Sequence, residues 1–119
     1  MLKPCPSSPN CVSTDADDAR HVVAALQLRQ IDEQTWSIIR AAVSCLPRTK
    51  LITERDQYLH AECRSALAGF VDDLELELRP ADAVLAARSA SRLGYYDFGV
   101  NRRRIEALRD LLRDRGLLA

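Results

Sequence analysis

The chain has 119 residues, of which 47% are hydrophobic and 29% charged, and its formal net charge at pH 7 is zero. This length allows one folded domain but not two comfortable ones, and the apolar fraction excludes a largely disordered chain. A net charge of zero argues against nucleic-acid binding, because phosphate recognition normally shows as a basic excess.

No apolar run in the sequence is long enough to cross a bilayer, and MLKPCPSSPNC at the start lacks the apolar core of a signal peptide. We therefore expect a cytoplasmic protein with no membrane span in this chain.

Residues 1–20 are predicted to form an irregular N-terminal leader, and residues 21–119 a single domain. Prolines, serines and aspartates crowd the first segment and oppose regular structure. The pattern changes at His21, where HVVAALQLR is predicted as a strand because its apolar residues recur at even spacing.

A helix is predicted next, beginning after Asp32 as N-cap and ending at Pro47. Its apolar residues fall at steps of three and four and form one stripe, made by Trp36, Ile39, Val43 and Leu46. Such a stripe must face a core.

Four further strands are predicted at Thr49–Thr53, Gln57–Arg64, Phe70–Arg79 and Ala83–Arg92. Polar turns at residues 54–56 and 80–82, and a connection at residues 65–69, separate them. The second and third strands alternate cleanly between apolar and polar residues, which is typical of strands with one buried face. Their inward side chains are Leu59, Ala61, Cys63, Leu74, Leu76 and Leu78.

A final helix is predicted after the loop Gly94–Gly99, with Asn101 as its cap and Gly116 ending it. The order is strand, helix, four strands, helix. It predicts the α+β class, with an antiparallel sheet of about five strands and both helices packed on one face. The order matches TATA-binding-protein-like and helix-grip folds by analogy.

The best candidate for a functional surface is Arg88–Arg104, RSASRLGYYDFGVNRRR. This stretch holds more charged and aromatic residues than the packing of a core requires. The preference for arginine over lysine reflects either a GC-rich genome and nothing else, or forked recognition of carboxylate or phosphate. On the second interpretation, we expect an anionic small molecule or a protein partner here. The predicted ligand-binding residues are Arg88, Ser89, Ser91, Arg92, Asp97, Asn101, Arg102 and Arg103, with Asp72 and His60 from neighbouring strands.

The other face of the sheet is predicted to be polar. It would gather His60, Glu62 and Arg64 with Asp73, Glu75, Arg88 and Arg92. Adjacent strands bring such side chains within about 5 Å, so one interpretation is a cross-strand lattice of ion pairs on a solvated face. The alternative is a polar ligand site in which Arg88 and Arg92 hold an anion.

Asp72 falls on the leucine side of its strand, where an unpaired carboxylate would be costly. It needs a partner, and Ser89, Ser91, Asn101 or a nearby arginine would serve. One interpretation is a buried hydrogen bond that anchors the loop. The other is a general base.

The loop before the last helix leaves two further alternatives open. The free N–H groups at the start of that helix would hold an anion, with Arg102 and Arg103 beside it. Alternatively, Asp97 occupies that place itself. The aromatic residues Tyr95, Tyr96 and Phe98 would stack a base, although such a patch is more often a packed corner.

Several chemistries find no support in the sequence. No Cys-x-x-Cys pair exists and the two histidines are far apart, so we expect no metal site, and no cofactor motif is present. No nucleophile-elbow pattern marks a serine hydrolase. Cysteines 5, 11, 45 and 63 are expected to be free thiols in a reducing cytosol.

Three segments together resemble an uncharacterised bacterial and plastid family, catalogued as domain-of-unknown-function family 1499. They are CPSSPNCVST, YLHAECRS with FVDDLELEL, and RSASRLGYYDFGVNRRRIEALR. Cys63 and Tyr96 depart from the family pattern, which usually has a large aromatic and a small polar residue there. The resemblance supports the fold and the site location but implies no activity. If exported relatives pair the first two cysteines, Cys5 and Cys11 would pair here when oxidised.

Three hypotheses follow. The first is a small module that binds an anionic ligand or partner at the arginine-rich corner of strand, loop and helix. The second is an enzyme in which His60, Glu62 or Asp72 transfers a proton while Arg88 holds the substrate. The third is a protein-interaction or assembly domain that uses the sheet edge or the polar face. The sequence leaves the oligomeric state open.

Overall fold

A computed structural model describes residues 2–66 and 69–119. The elements are β1 (Cys11–Ser13), β2 (Leu26–Gln27), α1 (Thr35–Ser44), β3 (Thr49–Arg55), β4 (Tyr58–Arg64), β5 (Val71–Arg79), β6 (Val84–Ser91) and α2 (Val100–Asp114). A short 3₁₀ turn at Pro80–Asp82 joins β5 to β6.

One antiparallel sheet holds all six strands, in the order β1, β6, β5, β4, β3, with β2 also paired to β6. The predicted α+β class is therefore confirmed, with one strand more than expected. The extra strand is β1, so the prediction that residues 1–20 lack regular structure is wrong at Cys11–Ser13. These residues pair with β6, whose free edge supplies the hydrogen bonds that a proline-rich segment cannot make alone. The domain limit at residue 21 stays a prediction.

The predicted alternation of β4 and β5 is confirmed. Leu59 lies opposite Leu76 and Ala61 opposite Leu74, and all four side chains are fully buried. The stripes of both helices, Ile39 and Val43 from α1 and Ile105, Leu108 and Leu112 from α2, join the same cluster. Both helices therefore pack on this face, which we call the core face.

The ends of the elements differ from the predictions in small ways. α1 begins at Thr35, because the Asp32 carboxylate accepts from the N–H of Gln34 in a turn before the helix and does not cap it. β3 extends through Arg55, into the turn predicted at residues 54–56. The strand predicted at residues 21–29 is reduced to Leu26–Gln27 with isolated bridges at Val22 and Leu28. Gly116, with φ of +74°, follows α2 as expected. Of the connection predicted at residues 65–69, residues 67 and 68 lie outside the described residues.

Candidate functional site

The predicted site residues divide between the two faces of the sheet. Ser89 points to the core face and is fully buried, together with Asn101 of α2. Arg88 points to the opposite face, which we call the polar face, and pairs there with Glu75. Alternation along β6 requires this division, so the ten predicted residues do not form one pocket.

On the core face, Asn101 is the centre of a buried hydrogen-bond network. Its Oδ1 accepts from Ser89 Oγ at 2.7 Å. Its Nδ2 lies 2.9 Å from Ser91 Oγ, 2.8 Å from Asp97 Oδ2 and 3.1 Å from the backbone oxygen of Asn10. The side-chain amide is satisfied on both atoms, as a buried polar group must be. Asn101 therefore joins β6, the loop and the N-terminal segment.

Asp72 finds its partner in Arg104, whose Nη2 lies 2.9 Å from Asp72 Oδ2. Both side chains are nearly buried, at 10% and 12% exposure. Arg104 Nη1 also donates to Ser89 Oγ at 3.1 Å and Asn101 Oδ1 at 2.8 Å. The expected need for a partner is confirmed, but Arg104 was not among the predicted site residues. Its spacing of three residues from Asn101 places it on the same helix face, and that signal was available in the sequence.

Asp97 occupies the N-terminus of α2. Its Oδ1 accepts from the N–H of Gly99 at 2.9 Å and its Oδ2 from the N–H of Asn101 at 3.1 Å. Burial alone would raise the pKa of Asp97, but these hydrogen bonds to the charged form outweigh it and lower the pKa. Of the two alternatives, the structure shows the internal carboxylate, which takes N–H groups that an external anion would need.

The remaining arginines of the corner point to backbone oxygens. Arg102 donates to the carbonyl of Val22 at 2.8 Å and to that of Arg20 at 3.2 Å. Arg103 donates to the carbonyl of Phe98 at 2.8 Å. The four predicted anion-holding arginines thus do not converge, because Arg88 and Arg92 lie with the carboxylates of the polar face.

The polar face carries a lattice of ion pairs. Glu75 accepts from Tyr58 Oη at 2.6 Å and lies 3.3 Å from Arg88 Nη1. His60 Nε2 lies 2.7 Å from Asp73 Oδ1, which also receives Arg92 Nη2 at 2.8 Å. Arg92 Nη2 reaches Glu62 Oε2 at 2.7 Å as well.

These contacts shift the pKa of Asp73, Tyr58 and Arg92, that of Arg92 being raised by its hydrogen bonds to Asp73 and Glu62. Hydrogen bonds from Arg92, with His60 adding to them, lower the pKa of Asp73 despite partial burial. Burial, followed by the hydrogen bond to Glu75, raises the pKa of Tyr58 well above its usual range. The lattice matches the structural interpretation of this face.

A shallow depression of about 290 Å³ remains on the polar face. Its lining residues are Lys3, Tyr58, His60, Asp73, Glu75, Arg88 and Arg92. Arg88 is 5% exposed, Pro4 covers it by accepting from its Nη2 at 3.4 Å, and its Nε has no partner among the described residues. The two least exposed charged side chains of this depression, Arg88 and Glu75, already form an ion pair with each other.

A different cavity lies on the other side of the loop, between the start of β5 and the start of α2. It has a volume of about 300 Å³, and we call it the corner groove. Its apolar lining comes from Phe70, Leu93, Tyr96, Phe98 and Val100, and its polar lining from Ser65, Asp72, Ser91, Gly94 and Asp97.

The apolar lining is unusually exposed. Phe98 is 86% exposed, Leu93 71% and Tyr96 70%. Tyr95 is also exposed and meets Tyr96 edge to face, with ring centroids 4.9 Å apart. The interpretation of these aromatics as a packed corner is therefore wrong. Sequence reasoning located the loop but not this property, because the alternation of β5 and β6 says nothing about where a loop side chain points.

The backbone of the loop that carries these side chains is fixed by hydrogen bonds from the N-terminal segment and from α2. Asn10 Nδ2 donates to the carbonyl of Gly94 at 2.7 Å, and Arg103 holds the carbonyl of Phe98. Phe98 has a φ of +55°, a left-handed conformation that a bulky residue rarely adopts. Such backbone persists only where the surroundings impose it, so Phe98 is displayed by the network beneath it.

A disulfide joins Cys5 to Cys11, with Cα atoms 5.7 Å apart. The expectation of free thiols is wrong for this pair, because β1 places Cys11 in the sheet and the proline-rich turn brings Cys5 back to it. Cys45 and Cys63 are free, and burial raises the pKa of the Cys63 thiol. Residues 2–66 and 69–119 contain no cluster of three or more His, Cys, Asp or Glu side chains that would hold a metal ion. None of the helices described is long and apolar enough to cross a membrane.

The fold and the site define an α+β protein in which a buried polar network supports an exposed aromatic loop. The chain belongs to the family of proteins of unknown function DUF1499, whose profile matches residues 1–112. No curated protein and no solved structure matches the chain. The likeness to TATA-binding-protein-like folds therefore stays a prediction.

Three distant parts of the chain meet in the buried network. Asn10 comes from CPSSPNC, Asp72 from FVDD, and Ser89, Asn101 and Arg104 from the last segment.

Proposed function

We propose that this protein is an interaction module that binds an apolar side chain of a partner protein in the corner groove. The proposal rests on one observation. Leu93, Tyr96 and Phe98 are exposed to solvent on a loop whose backbone is fixed by hydrogen bonds to the side chains of Asn10 and Asp97. Large exposed apolar patches on a folded protein mark interaction surfaces.

The composition of the corner supports a protein partner. Aromatic residues and arginine are the types enriched in the cores of protein interfaces, and both occur here together. The groove volume of about 300 Å³ lies at the low end for small-molecule pockets and suits one or two side chains. A fixed loop also reduces the entropy that binding would otherwise cost.

The predicted anion site has less support than the groove. Its arginines already pair with carboxylates or donate to backbone oxygens, so an external anion would have to displace those partners. The enzyme hypothesis meets the same obstacle, because His60 and Glu62 lie within the ion-pair lattice and Asp72 is bound by Arg104.

The cytoplasmic location stays a prediction. The Cys5–Cys11 disulfide argues against it, because such bonds persist mainly in oxidising compartments.

Panning a display library of short random peptides on the protein tests the proposal, with the Phe98→Asn variant present in solution as competitor. Asn tolerates the left-handed backbone, so this variant keeps the loop while removing the ring. Peptides that bind the wild type should carry an apolar residue and lose roughly tenfold or more in affinity on Phe98→Asn. If every selected peptide binds both proteins equally, the corner groove is not the binding site and the proposal fails.

A further inference from the structure

A basic surface adjoins the corner groove. It consists of Arg48, Lys50, Arg64 and Arg103, all of which are exposed. Ser65 lines both the groove and the open depression that contains Arg48, Lys50 and Arg64. Val100 lines both the groove and a second depression that contains Arg48, Arg64 and Arg103. The two surfaces are therefore continuous.

Among the described residues, most charges of the basic surface have no carboxylate partner, although Glu62 lines the same depression as Arg48, Lys50 and Arg64. Within residues 2–66 and 69–119, no carboxylate forms an ion pair with Arg48, Lys50 or Arg103. Arg64 approaches Glu62 only at 3.8 Å, and Glu62 is already bound by Arg92 at 2.7 Å. In a chain with no net charge, this local positive excess stands beside the most exposed apolar side chains.

We infer that the partner of the corner groove is a protein segment in which an apolar anchor residue is flanked by Asp or Glu. This inference rests on the proposed function and adds the charge of the partner. Complementary charge at the rim of an interface speeds encounter and selects partners, while the buried anchor supplies most of the affinity.

The lining of the groove favours a protein segment over an anionic membrane surface. Asp72, Asp97 and the hydroxyl of Ser91 form its polar side. Each carboxylate already accepts hydrogen bonds within the protein, but its two oxygens have further lone pairs that the N–H groups of a peptide backbone can fill. Acyl chains in the groove would desolvate these oxygens without offering donors.

The peptides selected on the wild type provide the test. We expect Asp and Glu to be enriched beside the apolar anchor. The Lys50→Glu/Arg64→Glu variant should bind these peptides roughly tenfold more weakly at low salt, and the difference should shrink as salt is added. The matched control is Arg29→Glu/Arg113→Glu, which makes the same change in charge on exposed arginines elsewhere and should leave the affinity unchanged.

The proposed function and this inference fail in different ways. Peptides that depend on Phe98 but lack acidic residues, or that bind the two double variants equally, would overturn the inference and leave the module intact. Absence of any dependence on Phe98 would overturn both. In a parallel arm with vesicles of phosphatidylserine and phosphatidylcholine, we expect no sedimentation of the protein. Sedimentation that requires both Phe98 and Lys50 would assign the surface to lipid and overturn the inference.

Discussion

Phe98 combines a left-handed backbone with a side chain that is almost fully exposed. Neither property stabilises the folded protein, since the ring buries little surface and the conformation costs about 1–3 kcal/mol for a residue of this kind. A residue that costs stability without packing is best explained by a task outside the core.

The stability of the Phe98→Asn variant tests this explanation. We expect its free energy of unfolding, from urea denaturation, to equal or exceed the wild-type value by up to about 1 kcal/mol, because Asn tolerates the left-handed region. A loss of more than about 1 kcal/mol would show that the ring supports the fold, contrary to its proposed role.

Asp97, unlike Phe98, stabilises the fold, and its contribution to the free energy of unfolding depends on pH. Its hydrogen bonds from Gly99 and Asn101 lower its pKa below the ordinary value of 3.8. As the pH falls, Asp97 is therefore protonated at a higher pH in the unfolded chain than in the folded protein. Its stabilisation of the fold is fully present above the pKa of the unfolded state and is lost as the pH falls through the lower pKa of the folded state.

Replacing Asp97 with Asn should lower the free energy of unfolding by about 1 kcal/mol at pH 7, because the amide keeps one acceptor oxygen but places an NH2 group where the second carboxylate oxygen accepts a hydrogen bond. Between pH 6 and pH 2.5, the wild type should lose more stability than the variant. Urea denaturation across this range measures both effects. Asp110→Asn, at an exposed position of α2, is the control. Parallel pH profiles for wild type and Asp97→Asn would contradict the assignment.

At the scale of elements, the Asp72–Arg104 pair ties α2 to β5 on the core face. A buried ion pair adds little over a well-packed apolar pair, but removing one partner leaves an uncompensated charge. The pair therefore enforces the position of α2, and with it the loop that precedes the helix.

The Arg104→Met variant should lose about 3–5 kcal/mol in the free energy of unfolding, because Asp72 is left buried and unpaired. The double variant Asp72→Leu/Arg104→Met should regain a large part of that loss, since no buried charge remains. Urea denaturation of the two single variants and the double variant measures the coupling. Additive losses would show that the pair does not act as a unit.

The elements themselves were largely predictable. β4 and β5 alternate because one face is buried and the other carries the ion-pair lattice, so their period of two is visible in the residues. α1 and α2 show stripes at three and four residues for the same reason. The short edge strands were not predictable in this way, because β1 is set by pairing with β6 and not by its own three residues.

At the scale of the whole molecule, the N-terminal segment is an integral part of the fold, because it pairs with β6 and contacts both faces of the sheet. Cys11 and Val12 are buried against the rest of the protein, Pro4 covers Arg88, and Asn10 binds the loop through Gly94. The disulfide holds this segment in a closed turn beside β6.

Removing the disulfide with Cys5→Ala/Cys11→Ala should lower the free energy of unfolding by about 2 kcal/mol, the loop-closure value for so short a separation. We expect the largest local increase in amide hydrogen exchange at Gly94–Gly99, because Asn10 no longer restrains the loop. Cys45→Ala, which removes an exposed free thiol, is the control. Unchanged exchange in the loop would show that Asn10 is held without the disulfide.

The sequence by itself determined the properties that repeat along an element: the α+β order, the buried faces of β4 and β5, the helix stripes, and the need of Asp72 for a partner. These are local because periodicity follows from the geometry of one strand or helix. The sequence also singled out Arg88–Arg104, and the role of that stretch stays a prediction.

Only the tertiary structure decided how distant residues meet. It paired Asp72 with Arg104, closed Cys5 onto Cys11, sent Arg88 and Arg92 to the carboxylates of the polar face, and left the loop aromatics in solvent. The physical reason is that the local sequence around a charged or aromatic side chain does not determine which distant residue it will contact. Its neighbours are chosen by strand register and helix docking, and those are properties of the packed whole.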